Sequence, residues 1–314
     1  MRSPSIVATG FKMADNNQSP WVDWLTENRF PGGDEEARIR EMLEKRREVI
    51  IRNADISLGD TVLDAGCGEG FIGIKAAEET GSKGKVIFLD SSPDILDQAK
   101  STVREANLAA ATEFKTDSVT DLESIATNSI DVLTARSVLL FVSSPEDAFD
   151  EFYRILKSGG RFSINETIRQ FIHEIDQGKA EDTLLGYNME EYKTPPDHVI
   201  ELVNKFWQYI ENNKTVIDTT LFSERDLFHM AEDAGFLNIN LDFHVKKNTI
   251  RTTSQWDVWL SSSFGPGRPT NREVLEKAFT EQERRQFVDF IRPIIESDVP
   301  KEHREASAYL YGVR

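Results

Sequence analysis

A chain of 314 residues, 39% of them hydrophobic and 29% charged, is long enough to bury a sizeable core as one large domain or two small ones. Against 54 Asp and Glu stand 37 Lys and Arg, a net charge of -17 that opposes attraction to phosphates and speaks against a nucleic-acid partner. No apolar run approaches the roughly 20 residues of a membrane helix, so no membrane insertion is expected, and the single cysteine, Cys67, excludes an intrachain disulfide, a cysteine zinc cluster and a resolving thiol.

Residues 1–20 read as a ragged polar leader without the apolar core of a secretory signal, so a cytoplasmic location is expected. The five histidines show none of the short spacings of a metal pair, and no metal centre is expected. Residues 21–30 are aromatic-rich, and a Pro-Gly-Gly break precedes a helix over about 35–53 with Ile39, Met42, Leu43, Val49 and Ile50 on one face. Together 21–57 read as an N-terminal helical flap that would bring Trp24 or Arg29 against a ligand.

Residues 61–73, TVLDAGCGEGFIG, form an apolar strand that ends in Asp64, breaks into glycines and opens a helix. Glycines there let the backbone turn sharply and approach a ligand. A second apolar run, 86–89, ends in Asp90, where an acid can bind a ribose diol. Residues 68–73 also match the dinucleotide pattern G-x-G-x-x-G, but Asp64 comes first. A carboxylate there would repel a pyrophosphate and would suit a ligand carrying ammonium or sulfonium charge.

These residues resemble the class I S-adenosylmethionine-dependent methyltransferases, whose first motif typically reads V-L-D-x-G-C-G-x-G and is matched over 62–70. The resemblance implies S-adenosylmethionine as cofactor. Asp64 and the backbone around Gly66, Gly68 and Gly70 would hold its methionine part, and Asp90, with Ser91 beside it, its ribose. Cys67 reads as a small residue where backbone meets ligand.

Farther along, Ser91, Ser92 and Pro93 start a helix with Ile95, Leu96, Ala99, Val103 and Leu108 inward. A short strand at 113–118 ends in Asp117 and Ser118, where the resemblance implies adenine recognition. Residues 129–136 are the fourth strand, ending at Arg136, a further cofactor candidate. A helix opens after Ser144 and is closed by Gly159 and Gly160, with Phe149, Phe152, Tyr153 and Leu156 as its stripe. Tyr153 and Lys157 match the Tyr-x-x-x-Lys pair of reductases, which keeps an NAD(P)-dependent reductase as an alternative. The fifth strand, 161–167, carries Glu166 toward the ligand-collecting edge of a parallel sheet, where it could deprotonate a substrate.

Alternating strands and helices, then a strand over 237–245 and a last one over 306–313, imply an α/β fold. It is a doubly wound, mostly parallel seven-stranded sheet with the N-terminal flap and two lid insertions. The expected division is a cofactor-binding core over 58–168, a lid over 169–220, more core over 221–247, a second insertion over 248–304 and a final core strand over 305–314.

Residues 135–142, 152–163 and the terminal Ala-Tyr-Leu pattern also resemble a bacterial group similar to enzymes that C-methylate geranyl diphosphate. That resemblance implies Glu166 as the base that removes a proton after methylation, although Thr167 stands where the group usually has proline. Trp207, Trp256 and Phe264 would then enclose an apolar substrate or stabilise a cation. A diphosphate would need cationic clamps, Arg268 being the candidate, and would bring Mg2+ with it. O- or N-methylation of an aromatic or polyketide metabolite fits the lids equally well, whereas a lone cysteine disfavours arsenite methylation. A non-catalytic regulator that binds the nucleoside, and assembly into a homo-oligomer, are compatible with the same residues.

Overall fold

The computed structural model describes residues 20–25, 33–171, 183–184, 187–188, 195–215, 221–251, 255–297 and 300–314. Strands β1 (Thr61–Ala65), β2 (Lys85–Asp90), β3 (Ala111–Thr116), β4 (Ile130–Arg136) and β5 (Leu156–Thr167) run parallel in the order β3-β2-β1-β4-β5. A short hairpin, β6 (Thr183–Leu184) and β7 (Tyr187–Asn188), precedes β8 (Leu237–Arg251) and β9 (Pro300–Val313). Strand β9 inserts antiparallel between β5 and β8, which completes the expected seven strands, and β7 pairs with its far end. The order reverses between β1 and β4, so a crevice opens at their carboxyl ends.

Side chains alternate across this sheet and bury both faces. On one face Val62, Val86, Phe88 and Val132 pack beneath helices α2 (Gly33–Ala54), α3 (Phe71–Thr80) and α4 (Pro93–Ala106), following a short α1 (Pro20–Asp23). On the other, Leu63, Leu133, Phe162 and Ile164 meet Phe149 and Phe152 of α5 (Pro145–Ile155). Helix α6 (Asp197–Asn212) lies in the first excursion, and α7 (Glu224–Asp233) returns to the sheet through Leu227 and Ala231. The caps are local: Ser92 accepts from the Ile95 amide, Pro93 fills the first turn of α4, and Ser223 with Asp226 forms a capping box on α7.

Three expectations change. Helix α5 ends at Ile155, and Gly159 and Gly160 lie in the irregular start of β5. Strands β8 and β9 pair as far as Arg251 and Pro300, well past the expected ends. Their outer stretch, Lys246-Lys247-Asn248-Thr249, is polar on both faces, so alternation gives no sign of it.

The two excursions also share one core. Val199, Phe206 and Ile210 of α6 pack against Trp259 of α8 (Trp256–Ser261), Val274 of α9 (Asn271–Lys277), and Phe287 and Ile291 of α10 (Glu281–Ile295). Phe206 stacks on Phe287 at 5.5 Å and lies parallel to Trp259 at 6.2 Å. They therefore form one helical unit with its own hydrophobic interior rather than two separate lids.

Candidate active site

Strand β1 delivers the chain into a turn in which Gly66, Gly68 and Gly70 all take positive φ, at 66°, 54° and 89°. Residues with a Cβ are strained there. Gly66 is doubly constrained, because a Cβ on it would stand 2.4 Å from Val138 Cγ2. Between the glycines Cys67 is buried, its amide donating to the Leu89 carbonyl at 2.8 Å. Burial, and then the charges of Asp64 and Asp90, push its thiol well above the ordinary range, so it stays protonated.

Asp64 was expected to meet a cation directly. Instead its carboxylate is 1% exposed and held internally, Oδ2 accepting from the Gly73 amide at 2.8 Å and Oδ1 from the Thr134 hydroxyl at 3.1 Å. Gly73 permits this approach, since a Cβ there would lie 2.9 Å from Oδ2. Burial pushes Asp64 up to about 7, against the pull of those two hydrogen bonds and of Arg136. Asp64 also lines the cleft, and its carboxylate ties the end of β1 to the first turn of α3 through Gly73 and to β4 through Thr134.

Asp90 ends β2 on the other side of that turn. Its Oδ2 accepts from the Gly68 amide at 3.1 Å and its Oδ1 from the Ser92 amide at 3.0 Å, and a carboxylate, with about four acceptor sites, keeps capacity for a hydroxyl. Burial raises its pKa against the amides of Ser92, Gly68 and Ser91, and Ser91 itself is exposed beside it. At the end of neighbouring β3, Asp117 accepts from the Ser124 amide at 3.0 Å and Ser118 Oγ lies 2.7 Å from Thr120 Oγ1. Both residues stand at the expected edge, and both hold the loop that follows it.

Leu25, Glu69, Phe71, Ile72 and Arg136 close the cleft around the glycine turn. Of these only Arg136 was expected. The N-terminal segment approaches the cleft through residues other than those expected: Trp21 meets Phe141 edge-on at 4.5 Å and Leu25 reaches the cleft, while Trp24 is half-buried. Arg29 lies outside the described residues, as do residues 1–19 of the expected leader.

Beside the cleft the sheet face is polar. In register across β4, β5, β9 and β8 lie Arg136, Asn165, Tyr309 and Asp242, and one step outward Thr167, Ser307 and His244. Asn165 is 0% exposed, its Nδ2 donating to the Ala308 carbonyl at 3.1 Å and its Oδ1 without a partner among the described residues. On the opposite face Glu166 is neither a surface acid nor an accessible base. It is 0% exposed and accepts at Oε1 from the amides of Val138 and Leu139 at 2.9 and 3.0 Å. Burial pushes it up to about 7 against those bonds and Arg136.

The expected substrate lids are elsewhere. Trp207 and Trp256 pack on the helical unit, Trp256 stacking on Trp259 at 4.9 Å, while the more exposed Phe264 lies against Trp207 at 4.5 Å and Arg268 pairs with Glu211 at 3.1 Å. Trp207 and Trp256 thus serve the core of that unit. The reductase pair is also split: Tyr153 meets Phe236 edge-on at 5.3 Å, whereas Lys157 binds both carboxylate oxygens of Asp131 at 2.8 Å. Among the described residues no group of three or more His, Cys, Asp or Glu is arranged to hold a metal, and no helix is long and apolar enough to cross a membrane.

The model of the methyltransferase domain family matches residues 56–235, more than half of the chain. The chain belongs to that family. The match takes in the glycine turn, Asp90 and the five parallel strands. This family member is 32% identical over 133 residues to an arsenite methyltransferase of Halobacterium salinarum, a match covering 42% of this chain and 34% of that protein. It is 30% identical over 155 residues to a demethylmenaquinone methyltransferase of Lactobacillus johnsonii, covering 47% and 63%. The matched region thus spans about one third to somewhat under two thirds of these relatives. Its fold is shared with the YcgJ protein of Bacillus subtilis, at 16% identity and a TM-score of 0.51, over 86% of this chain and 98% of that one. The turn is compatible with the family's cofactor: three positive-φ glycines leave backbone rather than side chain beside the cleft, which Gly66 and Gly68 line, and Asp90 borders it as an acceptor.

Proposed function

We propose that this methyltransferase acts on a small molecule that lies at the carboxyl edge of β4 and β5 and presents a polar, hydrogen-bonding group to it. The observation that supports this reading is the polar row Arg136, Asn165 and Tyr309 in register at that edge, in which Asn165 keeps a buried acceptor oxygen that no described residue satisfies. A buried unpaired acceptor costs about 1–3 kcal/mol, which an ordered water would offset, and the acceptor molecule would bond to the row through that water. Bound S-adenosylmethionine supplies an electrophilic methyl group. Asp90 would hold its ribose hydroxyls, the amides of the 66–70 turn its methionine part, and Leu25 would help exclude water. Asp117 and Ser118, at the neighbouring strand end, are the candidates for its adenine. Positioning of this kind contributes on the order of 7 to 11 kcal/mol, so transfer to oxygen or nitrogen asks little further acid–base help.

The finer reading as C-methylation of a prenyl diphosphate draws on Trp207, Trp256, Phe264 and Arg268, which have other partners, and on Glu166, which has no exposed surface. It retains the motif resemblance alone. Arsenite as substrate meets the obstacle that Cys67 is the sole cysteine and its thiol is held protonated. The test is incubation of methyl-labelled S-adenosylmethionine with hydroxyl- and amine-bearing metabolites and, in parallel, prenyl diphosphates, followed by mass spectrometry. Label confined to prenyl products would sink the polar-acceptor reading, and saturable cofactor binding without turnover on any pool would favour a regulator.

A further inference from the structure

Glu166 is buried, titratable and out of reach of the cleft, and its placement has a consequence for cofactor binding. The start of the turn after β4 presents three successive amides to β5. Ser137 N donates to the Asn165 carbonyl at 2.8 Å, and Val138 N and Leu139 N converge on Glu166 Oε1 at 2.9 and 3.0 Å. Ser137 takes a φ of 53°, a conformation that side chains rarely adopt and that surrounding bonds must hold.

The turn so held makes two contacts with the cofactor cleft. Val138 presses its methyl groups on Gly66, where even one added carbon would overlap them. Phe141, at the end of the short 3-10 turn Leu139–Phe141, meets Trp21 edge-on at 4.5 Å, and the same N-terminal segment carries Leu25 into the cleft.

We propose that Glu166 is a positioning residue whose carboxylate clamps the 137–141 turn, and through Val138 and Phe141 sets both the floor of the cofactor cleft and the seat of the N-terminal flap. The relevant chemistry is acceptance of amide hydrogens, not proton abstraction. A glutamine retains a carbonyl oxygen at the same reach, whereas an alanine leaves two amides buried and unpaired. The inference rests on the family's cofactor and is independent of which acceptor molecule the enzyme uses.

The test compares the full-length wild type, Glu166→Gln and Glu166→Ala by calorimetry with S-adenosylhomocysteine and by amide hydrogen exchange. Glu166→Gln should bind within about twofold of wild type and keep slow exchange at 138–139. Glu166→Ala should bind about tenfold or more weakly, with faster exchange confined to 137–141 and 20–25 while β1 and β2 stay protected. Equal loss in both variants, or wild-type affinity and exchange in Glu166→Ala, would overturn the proposal. Should the alanine variant not fold, Phe141→Ala decides: it should loosen 20–25 and weaken binding while 138–139 stay slow. An unchanged flap there would refute the link.

Discussion

Thr134 donates its hydroxyl to Asp64 Oδ1 at 3.1 Å across the β1–β4 pair, 70 residues away in sequence. Together with the Gly73 amide it supports a carboxylate that is almost wholly removed from water. Replacing Thr134 with Val keeps the volume and leaves Oδ1 without this donor, at a cost of about 1–3 kcal/mol. Thr134→Val should therefore lower the urea midpoint and weaken S-adenosylhomocysteine binding, and Thr134→Ser should restore both. Wild-type stability in the valine variant would count against this role.

Burial raises the folded-state pKa of Asp64 from 3.8 to about 7. The folded chain then binds more protons than the unfolded chain in that interval, so this group's contribution to stability is full below about pH 4 and is lost as pH rises to 7. Asp64→Asn should flatten the fall in denaturation midpoint between pH 5 and 7 relative to wild type. An unchanged slope would show that Asp64 titrates normally.

A cationic ligand should have the opposite influence on the same carboxylate. Positive charge near Asp64 lowers its pKa, so binding S-adenosylmethionine at pH 7 should release protons, and more of them than its uncharged-sulfur product releases. Calorimetry in buffers of different ionisation enthalpy measures that difference. Equal proton release for the two would remove Asp64 from the sulfonium's surroundings.

Asp90→Ala removes the acceptor proposed for the ribose together with a brace on the Gly68 and Ser92 amides. The expected loss is roughly 1.5 to 3 kcal/mol, or about ten- to a hundredfold in cofactor affinity. Unchanged affinity by titration would place the ribose elsewhere.

Phe206→Ala would test the reassignment of the aromatic residues. Phe206 is fully buried within the helical unit, so its truncation should cost about 3–5 kcal/mol there and leave cofactor affinity at the wild-type level. A selective loss of cofactor or substrate binding without destabilisation would reinstate the aromatic lid.

What the sequence by itself determined is what short-range sterics dictate. Glycines 66, 68 and 70 had to turn where a Cβ cannot follow, Asp90 had to end an apolar strand, and Ser92 and Ser223 had to start helices, because these constraints act over a few neighbouring residues. Strand alternation also exposed the seven core strands, though it stopped where β8 becomes polar on both faces. Only the tertiary structure decided what lies opposite: Val138 against Gly66, Thr134 and Gly73 on Asp64, Leu25 over the turn, and two aromatic excursions closing on each other. An aromatic stripe has the same spacing whether it faces a ligand or another helix, and a carboxylate at a strand end has the same letter whether it meets water or two backbone amides. Burial separates these cases, and burial is a property of residues far apart in the chain.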